Sequence, residues 1–271
     1  MKIAIQGEPG SFSHEAAVKL VAGAEIVPCA LSVEVFASLD SGAADAAVIP
    51  IENSLAGSVL EHFDLLLKHD VKVVQETLLR IRHNLIAIAG VRIEEIEHVF
   101  SHPVALAQCR QFLAAHPRMK AVAFYDTAGS VKHLVGKCDR HAAAIASEAA
   151  ARQFGGVILQ AGIEDNPENY TRFFLVRRSG EAEFDAKANK LSIAFSVENR
   201  PGSLVAALSA LSAQRTNLTK IESRPVQGKP WEYIFYVDCQ VSASDEETRV
   251  LEALGAHCGM VKELGRYREA R

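Results

Sequence analysis

Residues 46–54 read AAVIPIENS, six residues of apolar, strand-like character closing on Glu52, Asn53 and Ser54. So short a run, bounded by polar residues, predicts a buried strand. In residues 59–68, Leu60, Phe63 and Leu67 then recur at i, i+3 and i+7, the spacing of one helix face. A strand that delivers a polar cluster and turns into a helix is the unit from which this chain is built. It recurs as strand 3–6 with helix 13–21, and as strand 98–100 with helix 103–115, where Leu106, Cys109 and Leu113 keep the spacing. Strand 121–125 with helix 127–136 and strand 142–145 with helix 147–154 complete the series. Alternating β and α units predict mostly parallel sheets covered by helices. The units form two groups, before and after residues 71–89, which predicts two lobes with a cleft between them.

Residues 179–188, SGEAEFDAKA, are charged, small and aperiodic, a linker in character. Beyond them the order is strand 190–197, helix 202–213, strand 217–224, strand 232–239, helix 245–257 and strand 260–266. That βαββαβ succession is the ferredoxin-like arrangement. The expected architecture is therefore an α/β two-lobed domain over residues 1–178, followed by an α+β ferredoxin-like domain over residues 190–271. A length of 271 residues suits two such domains.

Composition narrows the function. The hydrophobic share of 49% and charged share of 23% are those of a globular protein, not of a disordered or collagen-like one. Twenty-nine Lys and Arg against 33 Asp and Glu give a net charge of −4, too little positive field for nucleic acid to be the main partner. No apolar stretch approaches the roughly 20 residues of a membrane span, and Gly7 interrupts the N-terminal run too early for a signal-peptide core. The five cysteines are scattered without a C-x-x-C pair, which predicts free thiols in a reducing cytoplasm, with neither a zinc site nor a disulfide framework. None of the ten histidines falls in an H-E-x-x-H pattern. Neither metal nor cofactor is expected.

In open α/β sheets ligands settle beyond the carboxyl ends of the strands, where helix N-termini also point. Five polar clusters fall there: residues 7–13 (GEPGSFS, with Ser11 and Ser13), Glu52-Asn53-Ser54, Ser101-His102-Pro103, Asp126-Thr127-Ala128-Gly129-Ser130, and Asn169-Tyr170-Thr171-Arg172. Ser, Asp and Pro at these positions also serve as ordinary helix caps and first-turn residues. The loop 7–13 matches neither nucleotide-binding glycine pattern, although its N–H groups suit a carboxylate. Glu52, at the end of an apolar strand, needs either a structural partner or a ligand. Thr171-Arg172 sets a hydroxyl beside a guanidinium that can grip a carboxylate with two hydrogen bonds.

Taken together and in order, these motifs resemble the prephenate dehydratase family: GEPGSFS at 7–13, PIENS at 50–54 with Gly57-Ser58, Ser101-His102-Pro103 with Gln108-Cys109, DTAGS at 126–130, AIAS at 144–147 and NYTRF at 169–173. The tail, with ENRPGSLV at 198–205 and KIESRP at 220–225, resembles an ACT regulatory domain. The resemblance covers essentially the whole chain. It implies a two-lobed fold of the type 2 periplasmic-binding-protein kind followed by ACT, and conversion of prephenate to phenylpyruvate, with water and carbon dioxide released. It further implies inhibition by L-phenylalanine held between ACT domains of a homodimer or homotetramer, whose contacts run through the ACT and catalytic domains. With no chorismate mutase segment before Met1, a monofunctional chain is expected. Ser11, Gly129-Ser130 and Ser203 depart from residues frequent in the family, Ser203 standing where the ACT motif usually has Ala.

The resemblance makes Thr171 the essential hydroxyl, and Glu52 and His102 the nearest candidates to renew its proton. Arg172 is expected on the pyruvyl carboxylate, with Ser11, Ser13, Asn53, Ser54 and Thr127 helping, and Phe173 near a drier wall for the departing carboxylate. Asn199, Pro201, Gly202, Ser203 and Leu204, with Glu222, Ser223, Arg224 and Pro225, are the expected effector residues. Arogenate dehydratase, or an enzyme of both specificities, is the alternative. A non-catalytic small-molecule sensor is a reading from another class.

Overall fold

Ile3, Ala4 and Ile5 of the first strand, β1 (Lys2–Gln6), have no solvent exposure. An apolar run without alternation belongs to a strand covered on both faces. The computed structural model, which describes residues 1–226, 231–241 and 244–270, places β1 inside a sheet. It pairs in parallel with β2 (Glu25–Cys29) and with β3 (Ala46–Asn53). Helices α1 (Phe12–Leu20) and α2 (Ser32–Asp40) connect them. β2 carries Pro28, which a strand tolerates at a sheet edge, where no donor is required on its open side. The two-residue strand β4 (Gly57–Ser58) folds back on β3, pairing Ser58 with Glu52 and Gly57 with Asn53. After α3 (Leu60–Lys68) comes the long β5 (Val71–Arg80).

A second sheet contains β6 (Asn84–Ala87), β7 (His98–Ser101), β8 (Lys120–Ala123), β9 (Ala142–Ala146) and β10 (Val157–Ala161), in the order β10-β6-β9-β7-β8. Helices α4 (Pro103–Ala107), α5 (Arg110–Ala115), α6 (Thr127–Lys137) and α7 (Glu148–Phe154) link its strands. β7 is parallel to β8 and β9, whereas β6 is antiparallel to β9 and β10. The sheet is thus mixed, because β6 enters straight from β5 without a helical crossover. The chain then returns to the first sheet as β11 (Tyr170–Arg178), giving the order β2-β1-β3-β11-β5.

The single helix read over 103–115 is two helices, α4 and α5, broken at Gln108-Cys109. Asp165 accounts for the break: its carboxylate accepts the N–H groups of Arg110 (3.0 Å) and Gln111 (2.9 Å), and its own N–H donates to Gln108 O (2.7 Å). These bonds cap the new helix start.

The C-terminal elements are β12 (Lys190–Ser196), α8 (Ser203–Ala213), β13 (Leu218–Pro225), β14 (Tyr233–Gln240), α9 (Ser244–Gly255) and β15 (Met260–Tyr267). They form an antiparallel sheet in the order β13-β14-β12-β15 over a core that includes Leu191, Phe195, Leu211, Val237 and Leu254. This is the βαββαβ fold.

Compactness divides the chain differently from sequence order. One unit is Met1–Val59 with Leu78–Phe173; the other is Leu60–Thr77 with everything from Phe174 onward. In the second unit Lys262 Nζ donates to the carbonyls of Leu66 (3.0 Å), Leu67 (2.8 Å) and His69 (2.8 Å), satisfying the C-terminal end of α3. Burial, reinforced by the charge of Lys72, lowers the pKa of Lys262. Arg224 pairs with Asp64 of α3, its Nε donating to Oδ1 at 3.1 Å. A Cβ on Gly265 of β15 would lie 2.1 Å from Val73 O, so the two backbones can meet there only at glycine.

Candidate active site

The end of β3 and the start of β11 supply the site, both within the first unit. Asn53 Nδ2 donates to Thr171 Oγ1 at 2.9 Å and to Asn169 Oδ1 at 2.7 Å, with Tyr170 O at 3.2 Å. The Asn53 amide has an unambiguous orientation, because its Oδ1 accepts the backbone N–H groups of Leu55 (3.0 Å) and Ala56 (2.8 Å). Its nitrogen therefore faces Thr171. Among the described residues Asn53 is the hydrogen-bond partner of the Thr171 hydroxyl, which is an acceptor in that bond. Its own proton is left for a group outside the protein network. Thr171 is 8% exposed, dry enough for such a bond to be strong.

Gln108 sits at the break between α4 and α5 and joins this network. Its Nε2 donates to Asn53 Oδ1 (3.3 Å), and its Oε1 accepts from Asn169 Nδ2 (2.9 Å). Ser54 Oγ donates to Glu168 O (2.9 Å) and accepts from Tyr170 N (3.0 Å), tying the end of β3 to the start of β11.

Arg172 follows Thr171 in the strand and so turns to the opposite face. It is 8% exposed, with Nε 3.9 Å from Glu52 Oε2. The structure thus brings together Asn53 with Thr171, and Glu52 with Arg172, as two pairs. Phe173 is 2% exposed.

Ser11 caps α1 by accepting the His14 N–H (3.3 Å), and Ser13 is buried in its first turn. The loop before them is pinned by Ser147 Oγ, which donates to Gly10 O at 2.7 Å. Gly10 has φ +88°, and a Cβ there would stand 2.8 Å from Ala150 Cα. Asp126 caps α6 at Gly129 N (2.7 Å) and accepts the Glu8 N–H (3.4 Å). Burial raises its pKa, opposed by those backbone bonds. Thr127 opens α6 beside it. His102 caps α4 through Nδ1, which accepts from Val104 N at 3.3 Å; burial lowers its pKa against the opposing charge of Asp126. Glu8 carries an ion pair from Lys132 at 2.9 Å.

In the second unit, Asn199, Pro201 and Gly202 are exposed ahead of α8, with Gly202 at φ +87° as its N-cap; Ser203 and Leu204 are half-buried in the first turn. Glu222 and Arg224 share the half-buried face of β13, and Ser223 and Pro225 the exposed one.

Sequence reasoning left His83, Asn169 and Asp126 out of the candidate site, and saw Gln108 only as part of a motif. Asn169 and Asp126 lie in the polar stretches 169–172 and 126–130. The signal for His83 was its place in residues 71–89, which separate the two groups of βα units.

Residues 3–181 match the family model described as prephenate dehydratase, and residues 191–255 match the ACT domain model. The chain is 39% identical, over 98% of its length and 72% of the relative's, to a protein of Arabidopsis thaliana named arogenate dehydratase/prephenate dehydratase 2, chloroplastic. Among solved structures it resembles prephenate dehydratase in complex with L-Phe from Arthrobacter aurescens, with TM-score 0.90, 30% identity and coverage of 99% of this chain and 90% of that one. It is equally similar to a protein described as a quorum-quenching acylase, with TM-score 0.89, 30% identity and coverage of 99% and 98%.

Proposed function

The chain belongs to the prephenate dehydratase family, hydro-lyases, and carries a C-terminal ACT domain; from that premise we propose that it converts prephenate to phenylpyruvate under inhibition by L-phenylalanine. The carrying observation is the Thr171 hydroxyl, held as an acceptor by Asn53 and therefore poised to donate. In the reaction the bond from the ring to its carboxylate breaks. Its electron pair enters the ring, and the ring hydroxyl departs from the opposite carbon, leaving with a proton as water. Aromatisation supplies the driving force. The protein must hold a dianion and stabilise the departing oxygen, a task for which a positioned donor typically contributes about 10²–10⁴-fold. Thr171 is that donor in this reading. Arg172 lies on the opposite face of β11 from Thr171 and is compensated by Glu52, so in this reading its charge favours the pyruvyl carboxylate through space and not by a two-pronged grip, while Phe173 belongs to the apolar side.

Arogenate is the second reading, favoured by the name of the Arabidopsis relative. It carries an ammonium group where prephenate has a ketone. The nearby carboxylates are already compensated: Glu8 by Lys132, Glu52 by Arg172, Asp126 by two backbone N–H groups. Of these three carboxylates none is left without a partner for the ammonium of a zwitterionic side chain, which supports prephenate. An acylase reading would need Thr171 activated by a base, and its partner is an amide donor.

For regulation, the exposed apolar side chains of Val205 (67%) and Ile221 (48%), the latter on edge strand β13, support pairing of ACT domains in a dimer or tetramer, with the effector at 199–204 and 222–225. The free thiols of all five cysteines support a reducing, cytoplasmic setting. The deciding experiment is kcat/KM on prephenate and arogenate side by side, with and without phenylalanine. Preference for prephenate and loss of rate with phenylalanine are expected; equal or better use of arogenate would overturn the substrate assignment.

A further inference from the structure

The amides of Asn53, Asn169 and Gln108 form a closed ring. Asn53 Nδ2 donates to Asn169 Oδ1 (2.7 Å), Asn169 Nδ2 to Gln108 Oε1 (2.9 Å), and Gln108 Nε2 to Asn53 Oδ1 (3.3 Å). Taken by itself, such a ring could run in either sense, since each amide can turn over and exchange its oxygen for its nitrogen. Only one sense presents a donor to Thr171. In the other, the Asn53 oxygen would face Thr171 Oγ1, and the threonine proton would be drawn back into the protein. The sense must therefore be locked from outside. One lock is the pair of backbone N–H groups of Leu55 and Ala56 on Asn53 Oδ1. The other, on the far side of the ring, is a histidine.

His83, in the segment between β5 and β6, is 2% exposed, and its ring stands edge-on to Phe12 at 5.7 Å. Its Nε2 lies 2.9 Å from Gln108 Oε1. That oxygen can only accept, so Nε2 bears the proton. Nδ1, buried and without a hydrogen-bond partner among the described residues, suits the bare lone pair of a neutral ring. Burial also lowers the ring's pKa, more than the Gln108 bond and the charge of Glu164 raise it. The backbone of His83 is fixed in turn by its N–H bond to Glu164 Oε2 at 2.9 Å.

We infer that His83 is a positioning residue of the dehydration: its Nε2–H fixes the Gln108 amide, and through the ring of three amides keeps the Asn53 donor on Thr171. It does not touch substrate. The inference rests on the reading of Thr171 as proton donor, and the test separates the two. Three variants differ in what they offer Gln108. His83→Met fills the space without a donor. His83→Gln can place an amide N–H near the position of Nε2. His83→Asn is polar but stops short.

For His83→Met and His83→Asn, kcat on prephenate falls roughly tenfold, the loss of about one hydrogen bond's worth of orientation, while KM stays within about twofold. His83→Gln recovers most of the rate. In a Thr171→Val background, His83→Met costs less than about twofold, because the group it positions is gone. Unfolding curves identify any variant that fails to fold, and the asparagine variant then carries the measurement. An unchanged kcat in His83→Met or His83→Asn overturns the inference, as does a glutamine variant no better than methionine. So does a tenfold loss that persists without the Thr171 hydroxyl, which marks a general structural role. If Thr171→Val alone keeps wild-type kcat, the Thr171 reading fails instead, and His83 has nothing to position.

Discussion

Asn53→Asp changes one NH2 group into an oxygen and leaves the shape of the side chain intact. The retained oxygen keeps its N–H donors from Leu55 and Ala56. The new one faces Asn169 Oδ1, Thr171 Oγ1 and Tyr170 O, where an amide nitrogen had stood at 2.7, 2.9 and 3.2 Å. Asn169 Oδ1 and Tyr170 O are acceptors only. With the ring held in its existing sense, the Thr171 hydroxyl relieves the conflict by rotating its proton onto the new carboxylate. It then has none to give the departing hydroxyl. Two good hydrogen bonds are lost, about 1 kcal/mol each, and an acceptor is left facing an acceptor, so a stability loss of roughly 2–4 kcal/mol is expected. At about 2–4 °C per kcal/mol for a chain of this class, the melting temperature should drop by roughly 4–16 °C. The catalytic loss should be larger in proportion: kcat on prephenate down by about 10²-fold or more, with a smaller change in KM. The assay is initial-rate phenylpyruvate formation at a temperature well below the variant's melting point. A folded Asn53→Asp protein with kcat within twofold of wild type would refute the reasoning, because Thr171 would then not need its proton free.

Other perturbations test other links. Gly10→Ala forces an alanine to φ +88° and its Cβ to within 2.8 Å of Ala150 Cα; a loss of about 1–3 kcal/mol from the backbone alone is expected, read in thermal unfolding. Lys190→Met strips the cation from Glu76, whose side chain is 1% exposed and 3.1 Å from Lys190 Nζ. Leaving that charge buried should cost about 3–5 kcal/mol, measured by chemical denaturation. Acidification tests the histidines whose pKa desolvation lowers. His14, His83 and His102 have folded-state pKa values below the ordinary 6.5 because of burial, so between the lowered values and 6.5 the unfolded chain binds more protons. Stability therefore rises with pH across that window and is lost on descending through it. Melting temperatures from pH 7.5 to 5.5 should fall, and fall less steeply in His83→Gln.

The periodic parts of the fold were legible because burial writes its period into the sequence. The strands and helices from residue 190 onward lie within a few residues of where the pattern of the sequence places them. β2 and α2 escaped the reading, since Pro28 breaks the appearance of a strand and an edge position excuses it. The break between α4 and α5 escaped for another reason: the apolar spacing continues through it, and Asp165, more than 50 residues away, makes it. The same limit governs the site. Thr171 and Asn53 carried visible chemistry, but their hydrogen bond spans 118 residues. The alternation of β11, which turns Arg172 away from Thr171 toward Glu52, shows only once the strand is placed. Nor does the order of residues reveal that residues 60–77 pack with the C-terminal elements, through Lys262, Arg224 and Gly265.

The central claim is that the Thr171 hydroxyl, held by Asn53, gives a proton-bearing hydrogen bond to the oxygen leaving prephenate. The most direct measurement is kcat for phenylpyruvate formation from prephenate by the wild-type chain, by Thr171→Ser and by Thr171→Val. The account predicts turnover by wild type, most of that rate retained with serine, and a fall of about 10²-fold or more with valine at nearly unchanged KM. A wild-type chain that forms no phenylpyruvate, or a valine variant as fast as the serine one, would contradict it.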